Sequence, residues 1–312
     1  MMVRIHSWAQ KGNLKKVAFF LSFLFYYSKK ALAESLCAIR HIFWIIYFIY
    51  LYTGFNYNAK VAIDNQIMKS AIPINTPEKE TLLMEVHHRL SDVYGRNIKY
   101  FHDIDIDPLS ELVSALLSHR TRNRDSGQAF KNLRLLFGTW EAVRDAPTAL
   151  VQEAIAPCTW PEQKAPRIQQ VLQQITELKG TLSLEFLQSM EVSAARHWLE
   201  ALPGVGPKTS AAVISFSNLR GKALPVDSHH FRVAYRLGLI DEKIGEAKAN
   251  RVLENMLPES FSAQEVYDHH QVMMKHGQNI CFYHRPNCGE CVLLDLCPTG
   301  QARMTETKIQ KL

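Results

Sequence analysis

Residues 202–233 read LPGVGPKTSAAVISFSNLRGKALPVDSHHFRV. Pro203 stops a helix, and Gly204 and Gly206 permit a tight hairpin with positive φ. Pro207 suits the first turn of the helix that follows, where a missing N–H costs nothing. Such a hairpin leaves backbone N–H groups of Gly204, Val205 and Gly206 bare beside a helix N-terminus. Those groups can bind a phosphate without reading sequence; the same turn also serves as an ordinary packing joint between helices. Lys208 sits in the first turn of the helix, where the positive end of the helix dipole disfavours an ammonium. Partial burial there would add to that effect and favour an amine nucleophile able to form a Schiff base. The plainer role is a solvated lysine touching phosphate. Asp227 follows 19 residues after Lys208. It precedes the periodic run Phe231, Ala234, Tyr235 and Leu237, so it reads as an N-cap. It also reads as a carboxylate that stabilises a developing cation; both roles hold if Ser228 does the capping.

Further on, Cys281, Cys288, Cys291 and Cys297 stand within 17 residues, and only Cys37 and Cys158 lie elsewhere. Four thiolates suit zinc. Zinc ribbons, however, usually carry two Cys-x2-Cys knuckles across a longer loop. One knuckle with wide flanking gaps wraps a bulkier object such as a four-thiolate iron–sulfur cube. Between the first two cysteines, His284 and Arg285 form an exposed loop suited to phosphate. The paired histidines at 87–88, 229–230 and 269–270 are poor metal pairs, since neighbours on a helix point apart; His229 and His269 read as hydrogen-bonding residues.

The rest of the chain beyond Thr76 is helical in pattern, with no strand series, so the class is all-α. Pro77 and Glu78 open a helix with Leu82, Leu83, Val86 and Leu90 on one face. Asp103, Asp105 and Asp107 alternate in a solvated loop that lacks the glycine and closing glutamate of a Ca²⁺ loop. Pro108 opens the next helix (Leu109, Leu112, Val113, Leu116, Leu117), which ends in Ser118-His119-Arg120-Thr121-Arg122. Phe130, Leu133, Leu136 and Phe137 form another stripe, stopped by Gly138. Ile168, Val171, Leu172, Ile175 and Leu178 form a third, behind a structural Lys164. Cys158 reads as a buried thiol.

LPGVGPKT, VDSHHFRV and CFYHRPNCGECVLLDLC, in that order, resemble the endonuclease III family of DNA base-excision glycosylases, from about Glu78 to Pro298. The resemblance implies a six-helix, helix–hairpin–helix domain over 101–222, inserted into an iron–sulfur domain built from 71–100 plus 223–312. It implies that Lys208 is the Schiff-base nucleophile, that Asp227 assists it, and that the four cysteines hold a [4Fe–4S] cluster. The partner implied is double-stranded DNA with a damaged base or abasic site, bound by a monomer. The activity implied is a bifunctional glycosylase and abasic-site lyase removing oxidised pyrimidines. Two features depart from simple carry-over. The family's Leu-Leu-Ser-x-Gln-x-Thr pattern places Gln, which fills the gap left by the extruded base, where this chain has Arg120. Arginine could fill that gap by stacking, but a lyase with little base excision is the alternative. Ala115 stands where the adenine-excising branch carries its glutamate, which argues against adenine as substrate. A third alternative is a non-catalytic iron–sulfur module that binds DNA.

The net charge of +6 is misleading, because residues 1–70 hold nine Lys/Arg against two acidic residues and leave the remainder at −1. DNA contact by the catalytic body therefore needs a local basic patch. The extension 1–70 carries apolar runs from Val17 to Tyr27 and from Ile42 to Phe55. It reads as a membrane anchor, a cleaved targeting segment, or translation from upstream of Met68. The reducing, DNA-containing compartment that the downstream motifs need favours the last and a cytoplasmic location.

Overall fold

The computed structural model describes residues 77–99 and 106–309, with side chains to 306. Among the described residues all regular structure is helical. The α-helices are α1 (Pro77–Tyr94), α2 (Pro108–Ser118), α3 (Asn123–Phe137), α4 (Trp140–Asp145), α5 (Thr148–Ala154) and α6 (Pro161–Lys179). Then come α7 (Val192–Glu200), α8 (Pro207–Phe216), α9 (Ser228–Arg236), α10 (Gly245–Asn255), α11 (Ala263–Asn279) and α12 (Pro298–Ile309). Short 3₁₀ turns at Cys288–Glu290 and Leu294–Leu296 carry the cysteine loop.

Local chemistry sets most boundaries. Proline opens α1, α2, α6, α8 and α12, where its fixed φ is already helical. Asp107 caps α2, accepting from the Ser110 N–H at 2.9 Å and the Ser110 hydroxyl at 2.6 Å. The solvated-loop reading of the three aspartates thus fails at Asp107, whose carboxylate is committed to a helix start; Asp103 and Asp105 lie outside the described residues. Gly138 and Gly180, both at φ 73°, end α3 and α6.

The helices enclose two cores. One joins α2–α8 through Leu112, Leu117, Leu133, Ile168, Leu172, Ile175 and Leu199. The other joins α1 with α9–α11 and the cysteine loop through Leu83, Val86, Leu90, Val233, Leu253, Val272 and Leu293. Each fully buried leucine contributes roughly 1.5–3 kcal/mol against exposure. Two expected core positions fall outside. Leu136 is 65% exposed, because the buried stripe of α3 steps through Ser126, Ala129 and Leu133 to Phe137. Leu178 is 58% exposed. The buried stripe of α6 ends at Ile175, and the exposed last-turn Lys179 lays its Nζ 3.6 Å from the Phe186 ring centre.

One close approach positions the site. A Cβ on Gly277 of α11 would stand 2.8 Å from His229 Cβ, so glycine lets α11 meet the first turn of α9, just past Asp227. No helix among the described residues is long and apolar enough to cross a membrane. Both apolar runs of the extension lie outside the described residues.

Candidate active site and cysteine loop

The hairpin forms as read. Gly204 takes φ 80°, and the Val205 N–H donates to Leu202 O at 3.2 Å. Leu202 and Val205 are buried in the first core. Of the three hairpin residues expected at phosphate, Val205 does not fit, since its side chain is buried and its N–H is spent within the turn, while Gly204 is exposed and Gly206 half-buried. Gly206 caps α8, Pro207 opens it and Lys208 follows in its first turn. Lys208 is exposed rather than partly buried, which corrects the expectation from sequence. The reason is its place at the helix end: Thr209 to Ser215 are all buried, Ala212 and Ser215 on the same face as Lys208 among them, and only the opening residues of α8 stand clear of the neighbouring helices.

Its surroundings are less open. The neighbouring Thr209 hydroxyl pairs with His119 Nε2 at 2.9 Å, which ties the end of α2 to the start of α8. His119 is pushed down to about 4 by burial first, then by the charges of Lys208 and Lys164. Asp227 itself caps α9; its Oδ1 accepts from the His230 N–H at 2.7 Å. The cap therefore belongs to Asp227 and not to Ser228. The second carboxylate oxygen makes no hydrogen bond within α9's first turn, and the residue is only half-buried. Behind it, His270 is held low by burial, with Lys208 pushing the same way and Asp227 opposing.

Arg120 stands exposed at the end of α2 in the left-handed region, φ 50°. Lys164 holds that loop from within, donating to Leu117 O at 2.6 Å, His119 O at 2.8 Å and the Thr121 hydroxyl at 2.7 Å. This is the structural role expected of it. From the other side the Thr159 hydroxyl donates to Arg120 O at 3.0 Å. The next residue, Trp160, is also left-handed at φ 55° and 47% exposed. Two strained residues side by side, each costing on the order of 1–3 kcal/mol, mark a loop shaped for contact. Cys158 is buried beneath it, its thiol pushed up by burial.

Cys281, Cys288, Cys291 and Cys297 line one cavity with Val233, Leu237, Ile280 and Leu293. Among the described residues no three His, Cys, Asp or Glu side chains converge on one point as a single ion requires. The sulfurs instead surround a space. Three receive N–H donors: Cys281 from Arg236 Nη1 at 3.2 Å, Cys291 from the Leu293 N–H at 3.4 Å, and Cys297 from the Gly300 N–H at 3.3 Å. Burial pushes the Cys291 thiol up to about 11 and raises Cys288 and Cys297 as well. Thiolates there need a cationic centre among them. The donor set, the cavity and the N–H donors fit a four-thiolate cluster.

With this geometry in place, comparison is informative. Residues 113–259 match the family described as HhH-GPD superfamily base excision DNA repair protein. Endonuclease III of Thermotoga maritima is 29% identical over 216 residues, covering 69% of this chain and 92% of that protein. In sequence the chain is thus similar to the endonuclease III proteins among the helix–hairpin–helix base-excision glycosylases. A putative DNA glycosylase of Arabidopsis thaliana is 31% identical over 173 residues, 55% of this chain and 57% of that protein. In fold the chain is similar to a trapped endonuclease III–DNA covalent intermediate, with TM-score 0.60 and 24% identity. That likeness covers 74% of this chain and all of the other. It is also similar to a non-covalent endonuclease III–DNA complex, with TM-score 0.61 and 23% identity.

Several roles escaped the sequence. Arg232 and Arg236, read only as two arginines on one face, are buried and hold the cysteine loop. Arg232 donates to Cys281 O and Gly277 O, and Arg236 to Phe282 O and Tyr283 O. Their four-residue spacing was the available signal. His229 pairs with Arg232 as a hydrogen-bonding residue should, at 3.0 Å. His269 does not; it is fully buried among imidazoles, 5.4 Å from the His87 ring and 5.3 Å from the His230 ring. His284 and Arg285 are both exposed, Arg285 in a left-handed turn at φ 50°.

Proposed function

We propose that this glycosylase is bifunctional: it excises a damaged base, with oxidised pyrimidines as the substrate class, and cleaves the abasic strand through a Schiff base on Lys208. The observation that supports the reading is an exposed lysine in the first turn of α8 together with a half-buried carboxylate pre-oriented by its cap on α9.

The steps follow from that pairing. Hairpin N–H groups at Gly204 and Gly206, with His284 and Arg285, anchor phosphates, and the target nucleotide leaves the stack. Arg120 and the Trp160 ring offer flat faces for the gap left behind. Lys208 Nζ, once it has given up a proton, attacks C1′ of the sugar; the C1′–N bond breaks, and the base departs with the bonding pair and takes up a proton. Asp227 stabilises positive charge at C1′, its Oδ1 already fixed by the His230 N–H. Loss of the Nζ proton and ring opening yield an iminium. The iminium acidifies C2′, a base removes that proton, and the 3′ phosphate leaves in β-elimination. Water then releases the lysine. Cys281, Cys288, Cys291 and Cys297 would hold a [4Fe–4S] cluster, which supplies four bonds that staple the 281–297 loop and takes no part in these steps.

Borohydride trapping on two duplexes tests the reading, one with an abasic site and one with an oxidised pyrimidine. The expected result is a covalent adduct on both, lost in Lys208→Gln. An adduct on the abasic duplex alone would leave a lyase and direct attention to Arg120, the residue that departs from the family's Gln. No adduct on either would sink the assignment of Lys208.

A further inference from the structure

Lys208 and Asp227 belong to helices of different cores, so something must hold them in register. Apolar contact is non-directional and does not by itself fix two backbones to a fraction of an ångström. A buried hydrogen-bonded chain does run between them. Arg196 on α7 is 7% exposed. Its Nη2 donates to Pro207 O at 3.1 Å and to Asn250 Oδ1 at 2.6 Å. Asn250 on α10 is fully buried, and its Nδ2 donates to Leu224 O at 2.6 Å. Pro207 immediately precedes Lys208; Leu224 stands three residues before Asp227 in the extended segment that delivers it.

The chain is braced on both sides. Arg196 Nη1 donates to Glu254, and Nε reaches the Ser210 hydroxyl at 3.3 Å. That hydroxyl in turn lies 2.8 Å from Glu200 Oε1, and Arg251 Nη2 lies 2.9 Å from Glu200 Oε2. Two arginines and two glutamates leave the cluster neutral, so no unpaired charge is buried.

We propose that Arg196 and Asn250 are positioning residues, forming a strut that sets the spacing between Lys208 and Asp227. The proposal rests on reading those two as the reacting pair. The strut touches neither the outer face of the hairpin nor the cysteine loop, so its loss should slow the chemical step and leave duplex binding largely intact. A misplacement of about 1 Å at a reacting pair costs on the order of 100-fold in rate.

The test uses full-length protein and single-turnover trapping on an abasic duplex at saturating protein, beside duplex affinity and thermal melts. Asn250→Leu and Arg196→Met should trap roughly 10- to 100-fold more slowly, with duplex affinity little changed. Arg196→Lys, which keeps one donor, should recover part of the rate. Leu133→Ala, a destabilised control remote from the strut, should trap at the unmodified rate. If Asn250→Leu does not fold, Asn250→Asp keeps the acceptor for Arg196, loses the donor to Leu224 O, and carries the same expectation. Trapping at the unmodified rate in folded Asn250 variants, or slowing no greater than in a Leu133→Ala protein of equal melting temperature, overturns the strut alone. Trapping that survives Lys208→Gln overturns the reacting pair and the strut with it.

Discussion

The interiors on either side of the site are built differently. On α2–α8, apart from Glu111 and Arg196, the buried polar side chains are hydroxyls such as Ser126, Thr209 and Ser215. On α1 and α9–α11 the interior takes in His87, His230, His269 and His270, together with Arg232, Arg236, Asn250 and Asp268. The four imidazoles adjoin one another in sequence, tilted or edge-on, with ring centres 5.4 Å apart for His87 and His269, 5.3 Å for His230 and His269, and 6.1 Å for His230 and His270. Asp268 ties the segment after α1 to α11, accepting from the Asn97 and Ile98 N–H groups at 2.8 and 2.9 Å. The lysine thus rides on a core stabilised mainly by apolar packing, with His119 at its edge also held low by burial, and the aspartate on one whose interior gathers several such imidazoles. The difference teaches that the two halves of one site answer to different conditions.

Acid should expose that contrast most strongly. Burial holds His87, His230, His269 and His270 below the ordinary histidine value of 6.5. Below that pH the unfolded chain takes up protons that the fold refuses, so stability present at neutral pH is lost as pH falls through 6.5. Each such histidine contributes up to about 1.4 kcal/mol per pH unit, or ~5 kcal/mol per unit for four at the limit. Hydrogen exchange between pH 7.5 and 5.5 should show α11 losing protection before α6. Equal loss in both would mean that the two cores open as one unit, and a flat profile would mean that the imidazoles find partners in solution.

Truncation at neutral pH sharpens the comparison. Leu133→Ala and Leu253→Ala each remove a fully buried side chain, one from each core, and each should cost about 3 kcal/mol in denaturant melts. At pH 5.5 only Leu253→Ala should deepen the loss of protection on α11; a like response in Leu133→Ala would erase the distinction between the cores. Smallest are the caps. Asp107→Ala and Ser262→Ala should each cost about 1 kcal/mol, seen as faster exchange in the first turns of α2 and α11. Ser262 has a reciprocal partner in Glu265, which accepts from the Ser262 N–H at 2.7 Å. A cost below that of Asp107→Ala would show that this box adds little.

Much of this was legible beforehand, because it depends on near neighbours in the chain. Pro207 and Gly206 start α8 wherever the rest of the protein lies, and Gly138 ends α3 for the same reason. The four cysteines announce a shared site by spacing alone. What escaped were residues whose partners lie far along the chain. Arg232 reaches Cys281 O across 49 residues, Arg196 reaches Asn250 across 54, and His119 reaches Thr209 across 90. Periodicity also overreached at Leu136 and Leu178, since a stripe shows which face is apolar and not how far the neighbouring helix extends over it.

The amino-acid sequence by itself determined the helical class, the hairpin with its following lysine, the capping aspartate and the cysteine loop. Turn chemistry, caps and hydrophobic period act within a few residues, so they survive being read one segment at a time. Tertiary structure decided that Lys208 is exposed, that Val205 points inward, that four imidazoles share one interior, and that Arg196 and Asn250 connect the two backbones. Burial and long-range hydrogen bonding are set by which helix faces meet, and that meeting is a property of the packed whole.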